Sequence, residues 1–170
     1  MRRIAAFLVV AASAGLVPVA SEAASGTTCK VEHVPTLKPG LSVQGSSGTF
    51  EDAQDGTISC DGPVMGITPT GPGRLHDKGN YGTKDPDSCF GGGEGDGSYT
   101  LVFPTADGEQ KLVAPFTFTF GGPATNGEGV VALHVRGDGW SAELGVTPTK
   151  GDCFSAPVTE VRVTGKAAFS

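Results

Sequence analysis

The sequence predicts an all-β fold: an antiparallel, meandering β-barrel of about eight strands, with a two-sheet β-sandwich as the alternative. Three observations carry that prediction. The 170-residue chain holds 27 glycines and 12 prolines, which interrupt it every few residues. No window keeps the apolar i, i+3, i+4, i+7 spacing that a helix needs. Apolar and polar residues instead alternate in short runs, with turn residues between them.

In chain order, weaker strand candidates come first, at 29–34, 48–51, 57–60 and 64–68. The segment 74–97 lacks alternation, is rich in Asp, Gly and Asn, and reads as a long surface loop, the place where function concentrates on a rigid scaffold. The stronger strands follow. Tyr99, Leu101 and Phe103 oppose Ser98 and Thr100, and Phe116, Phe118 and Phe120 oppose Thr117 and Thr119. Val131, Leu133 and Val135 oppose His134 and Arg136, while Trp140, Ala142, Leu144 and Val146 alternate with Ser141, Glu143 and Thr147. Val161 and Val163 alternate with Glu160, Arg162 and Thr164. Asp55-Gly56, Asp107-Gly108 and Gly137-Asp138-Gly139 supply the positive φ of tight reversals, so the strands are antiparallel neighbours. Glycine-rich sequential hairpins favour a barrel, whose crowded interior accepts small residues. The best-known sandwich has a Trp on an early strand between bridged cysteines, whereas the single Trp140 lies late.

The first residues set the compartment. Arg2 and Arg3, an apolar run from Ile4 to Val19 and the small residues Ser21 and Ala23 match a secretory signal over 1–23, too short for a membrane span. Residues 24–170 then form a single disulfide-stapled all-β domain, secreted and without a transmembrane segment. The whole chain has 12 Lys+Arg against 18 Asp+Glu; loss of Arg2, Arg3 and Glu22 leaves 10 against 17, net −7. Such acidity, with no basic cluster, argues against nucleic acid or an anionic membrane surface as partner.

Cys29, Cys60, Cys89 and Cys153 are an even count in an exported chain, so two disulfides are expected. Of three connectivities, Cys29 with Cys60 and Cys89 with Cys153 is preferred, because one bridge then ties down the N-terminal arm while the other staples the middle loop to the last hairpin. Zinc is disfavoured: no Cys-x-x-Cys exists and no histidine stands at ligand spacing.

Candidate chemistry is sparse. His134 reads as a solvated strand position, His76 beside Asp77 as a polar loop, and His33 carries no argument. Gly45-Ser46-Ser47-Gly48 has the wrong spacing for a nucleophile elbow. The acidic loop 85–97 has Cys89 and Phe90 where an EF-hand needs an acid and a glycine, and lacks the pattern of a phosphate loop. Arg136-Gly137-Asp138 spells an adhesion tripeptide, yet a hairpin needs the same residues. The aromatic stripe Phe116, Phe118, Phe120 with Tyr99, Phe103 and Trp140 is the strongest physical signal, either a packed core or the lining of a cavity for one small apolar ligand.

Cys29, the Gly-Thr-Ile-Ser-Cys ending at Cys60, a Gly-Pro-Gly turn at 71–73, Cys89, Phe116-Thr117-Phe118 and the closing Gly-Asp-Cys-Phe-Ser-Ala-Pro-Val-Thr at 151–159 together resemble small exported all-β proteins of actinobacteria, of uncharacterised function. That resemblance implies an extracytoplasmic all-β domain and no catalytic residue. The hairpin-by-hairpin glycine pattern is similar, at the level of fold, to barrels of the allene oxide cyclase type. The expected role is a small-ligand-binding or envelope-associated module without cofactor. The alternatives are an isomerase or hydrolase at the barrel mouth near His76, Asp77 and Tyr81, and an inhibitor or surface-interaction protein using the long loop.

Overall fold

Pairing each alternating run with its neighbour closes the chain into a ring of hydrogen bonds. The computed structural model describes residues 26–89, 92–124 and 129–170; the signal segment expected at 1–23 lies outside them, as do Phe90 and Gly91 of the acidic loop. The strands are β1 (Thr27–His33), β2 (Pro35–Leu41), β3 (Gly48–Asp52), β4 (Gly56–Cys60), β5 (Gly73–Tyr81), β6 (Gly93–Thr105), β7 (Gly108–Pro123), β8 (Val131–Gly137), β9 (Trp140–Lys150) and β10 (Val158–Phe169). All the ladders are antiparallel.

These ten segments fill eight positions of a closed barrel. β10 pairs with β1 over residues 163–169 and with β2 through Val158 and Glu160, so β1 and β2 share one position. β3 and β4 likewise share the next, pairing with β2 and β1 on one side and with the two ends of β5 on the other. From β5 onward each strand pairs with its successor, and β10 returns to the start. Closure removes every open edge and rules out the sandwich.

The interruption of these two positions has a local cause. Pro35 cannot donate to a ladder and restricts Val34 before it. Opposite them, Glu32 pairs with Thr57 and Pro35 with Asp52, so three steps on one strand face five on the other. The two surplus residues, in the stretch Ala53 to Asp55, leave the ladder as a bulge. Asp55-Gly56 is therefore no hairpin tip, since β3 and β4 continue one strand position and do not pair. The true tight turns are Ala106-Asp107 and Asp138-Gly139, with Gly108 and Gly139 at φ of 110° and 71°.

Two further expectations are corrected. The stretch 74–81 is strand β5 and the loop begins only at Gly82, while 64–68 holds a single bridge between Val64 and Ile67. Val64 and Ile67 are buried, and the segment between β4 and β5 plugs that end of the barrel. Loops 42–47, 82–89 and 151–157 rise from the opposite end, where Ser46 and Asp87 exchange backbone hydrogen bonds.

Disulfides join Cys29 to Cys60, directly opposite in the β1–β4 ladder, and Cys89 to Cys153, across two loops of the capped end. Both are compatible with an oxidising, extracellular location. Loop entropy assigns each about 3.5 to 4.5 kcal/mol.

The glycines at the start of β6 are needed because aromatic rings lie over them. A Cβ on Gly95 would collide with the Phe118 ring, and one on Gly97 would stand 2.7 Å from Phe116 Cζ and 2.6 Å from the Lys78 carbonyl oxygen. Gly97→Ala is therefore expected to displace the Phe116 ring and lower stability by about 1–3 kcal/mol. Gly71→Ala, where the nearest atom would be Pro104 Cγ at 3.9 Å, is the control and is expected to stay within about 0.5 kcal/mol. Thermal unfolding of the oxidised protein checks both.

Candidate functional site

Period-two parity carries three ionisable side chains into the barrel at the level of the bulge. In β1, Thr27, Cys29, Val31 and His33 face inward; in β3, Phe50 and Asp52; in β5, Leu75, Asp77 and Tyr81. His33, Asp52 and Asp77 are 2%, 3% and 4% exposed, figures at which an unpaired charge is not tolerated. They pair with one another. His33 Nδ1 donates to Asp52 Oδ1 at 3.0 Å and lies 3.7 Å from Asp77 Oδ2, while Asp52 Oδ2 accepts the Asp77 backbone N–H at 2.8 Å. Asp52 thus links β1, β3 and β5 through one carboxylate. Tyr99 of β6 completes the cluster, its ring edge-on to His33 with centroids 5.7 Å apart.

Two atoms of this cluster, His33 Nε2 and Asp77 Oδ1, are buried with no hydrogen-bond partner in the protein. Burial raises the Asp77 pKa to about 7; His33 opposes that shift, Asp52 adds to it, and a hydrogen bond from the Lys78 backbone opposes it. The Tyr99 phenol is pushed well up by burial and by the nearby Asp77 and Asp52 carboxylates. The two carboxyls, both facing His33 Nδ1, therefore have different character. Asp52 is fully engaged, and Asp77 holds its proton near neutrality.

The cluster divides the interior. Toward the plugged end, Val31, Ile58, Leu75, Leu101, Trp140 and Phe169 pack so closely that about 10 Å³ is left. Toward the capped end there is a cavity of about 70 Å³, walled by Leu37, Leu41, Phe50, Leu133, Val146, Val161 and Val163 and by the rings of Tyr99, Phe116, Phe118 and Phe120. Asp77, Tyr81 and Asp87 are the other polar residues on this wall. The Tyr81 hydroxyl donates to the Pro39 carbonyl, and Asp87 Oδ1 accepts the Glu94 N–H at 3.2 Å. Burial also raises Asp87 from its ordinary value, against hydrogen bonds from the Gly82 and Glu94 backbone.

Of the aromatic residues that the sequence marks for a cavity, Tyr99, Phe116, Phe118 and Phe120 line this one. Trp140 stacks on Phe169 in the packed half at 5.7 Å, and Phe103, fully buried, lines neither space. The trio proposed for a barrel-mouth enzyme does not converge. Asp77 and Tyr81 face inward, but His76 faces outward on the same strand, 3.5 Å from Glu51 and 3.4 Å from Asp55. His134 is exposed on β8 opposite Glu143, and Arg136-Gly137-Asp138 runs from that strand into its turn. Among the described residues no three His, Cys, Asp or Glu side chains are grouped to hold a metal, and no helix is long and apolar enough to cross a membrane.

His33 carried no argument in the sequence and Asp52 lay beyond the strand candidate at 48–51, though parity could have shown both, since each extends an inward series, Cys29-Val31-His33 and Phe50-Asp52. Parity offered no such signal for Asp77, because its strand reads as loop. The fold and site define a class, an eight-position up-and-down barrel with a buried Asp-His-Asp cluster beneath an apolar cavity. No family model, curated protein or solved structure matches the chain.

Asp77 makes stability depend on pH. Unfolded, the carboxyl titrates near 3.8, whereas folded it keeps its proton to about 7. The native state thus binds the extra proton between these values, so stability is highest below pH 4 for this group and falls as pH rises to 7. The loss is on the order of 4 kcal/mol. His33, Asp52, Tyr99, Tyr81 and Asp87 are the other titratable groups around it. Asp77→Asn is expected to abolish this decline, measured as the difference between urea unfolding of the two proteins from pH 4 to 8; an unchanged slope would contradict the placement of Asp77.

Proposed function

We propose that the protein is an exported ligand-binding β-barrel whose cavity, beneath the loop-capped end, takes a compact apolar group. The cavity wall carries this reading: the rings of Phe50, Tyr99, Phe116, Phe118 and Phe120 and six leucine and valine side chains face a space of about 70 Å³, while the opposite half of the same barrel is filled. Close packing is the rule in protein interiors, so a one-sided void walled by otherwise well-ordered side chains points to an occupant. The signal-like N-terminus and the two disulfides support export.

The volume limits the occupant. Engineered cavities that bind benzene are about 150 Å³, roughly twice this space, so a group of about four heavy atoms fits without rearrangement. At a ceiling of about 1.5 kcal/mol per heavy atom, a free molecule of that size binds no tighter than about 40 µM. A tight natural ligand is therefore longer, with one compact end inside.

Methyl-labelled protein with both disulfides intact tests the proposal by NMR titration with isobutane, cyclopentane and benzene. Saturable shifts confined to Leu37, Leu41, Leu133, Val146, Val161 and Val163 are expected, strongest for the smallest molecule, and Val146→Phe is expected to weaken isobutane binding at least about ten-fold by filling the space. Absence of saturable shifts, or shifts spread over the outer surface, would overturn it.

A further inference from the structure

We infer that Asp77 is the polar anchor of this cavity and that the ligand group entering it is an apolar body carrying one hydroxyl. The inference rests on the ligand-binding reading above and adds the chemistry that selects among apolar molecules. Of the polar residues on the wall other than the Tyr99 phenol, Tyr81 and Asp87 are committed to the backbone, through the Pro39 carbonyl and the Glu94 N–H. Asp77 is different. Its side chain borders the cavity, it is 4% exposed, and Oδ1 has no partner in the protein. Its other oxygen lies 3.7 Å from His33 Nδ1, beyond a proper hydrogen bond, while that nitrogen is hydrogen-bonded to Asp52 at 3.0 Å, so a hydrogen bond from the Lys78 backbone is the carboxyl's remaining contact. The terminal torsion of an aspartate is broad, so a small turn presents either oxygen to the cavity.

A hydroxyl suits this carboxyl in both of its states. It accepts a proton-mediated hydrogen bond from the acid and donates one to the carboxylate, and Asp77 passes between the two near pH 7. A carbonyl pairs only with the acid. A cation pairs only with the carboxylate and must leave water for a wall of Phe and Leu side chains. A hydrocarbon makes no use of the orphaned oxygen, and a buried polar group left unpaired costs about 1–3 kcal/mol. The hydroxyl is the smallest neutral group that satisfies Asp77 across the pH range in which it titrates; an amide also donates and accepts, but brings two desolvated heteroatoms to a wall of Phe and Leu side chains.

Isobutane and 2-propanol, which differ by methyl for hydroxyl, separate the two layers of the account. Dissociation constants are measured by methyl NMR at pH 6 on the oxidised protein and on Asp77→Leu and Asp77→Asn. Asp77→Leu is expected to weaken 2-propanol about ten-fold relative to isobutane, and Asp77→Asn, which keeps a hydrogen-bonding group, to weaken it less. In the unaltered protein, saturation with 2-propanol is expected to move the Asp77 carboxyl ¹³C resonance while isobutane leaves it in place, a readout that survives if a variant fails to fold. If isobutane binds but Asp77→Leu affects both probes equally and the carboxyl resonance is indifferent to both, the anchor is refuted with the cavity intact. If neither probe binds, the cavity reading falls and the anchor with it.

Discussion

The hydrogen bond between His33 and Asp52 sits where two adjacent strand positions break, and the interior is organised around it. Burying a carboxylate and an imidazole costs several kcal/mol each unless they are paired with good geometry. Here the pairing is at 3.0 Å, and the second Asp52 oxygen accepts the Asp77 N–H across the neighbouring strand. A single carboxylate thus holds β1, β3 and β5 at one height. The bulge beside it, created by Pro35 on one strand and two surplus residues on the other, lies at the level where strand parity turns these side chains inward. Bulges of this kind are placed beside functional sites more often than elsewhere.

From that level the barrel diverges into two unlike halves. The plugged half is filled by branched aliphatic residues and the stacked Trp140–Phe169 pair, and Val64 and Ile67 close its mouth. The capped half relies on the rings of Phe50, Tyr99, Phe116, Phe118 and Phe120, and rings are rigid plates that leave gaps between them. Phe116 and Phe118 lie against the glycines of β6. The loops above are tied by the Cys89–Cys153 bridge and by Asp87, so the cavity is roofed by a cross-linked cap.

How much of this the sequence discloses depends on what faces inward. Where the inward residues are Tyr99, Leu101 and Phe103, or Trp140, Ala142, Leu144 and Val146, the alternation is plain and the strands are found. In β5 the inward series is Gly73, Leu75, Asp77, Gly79 and Tyr81; its apolar mass is supplied from other strands, Phe103 covering Gly73 and Phe50 covering Gly79. The period is present but has little side chain to show, so the segment reads as loop and Asp77 is lost with it. β2 hides for a related reason, since Pro35, Pro39 and Gly40 look like chain breakers. The aromatic wall was visible in sequence, but its polar floor was assembled from three strands, two of them weakly marked.

Asp77 is a desolvated carboxyl inside the barrel, unengaged on one oxygen and next to an apolar space. The most direct measurement is the pH titration of its side-chain ¹³C resonance in the folded, oxidised protein. The structure predicts a midpoint of about 7, displaced from the ordinary 3.8. A midpoint near that ordinary value would mean that Asp77 meets solvent, and it would contradict both the buried cluster and the site built upon it.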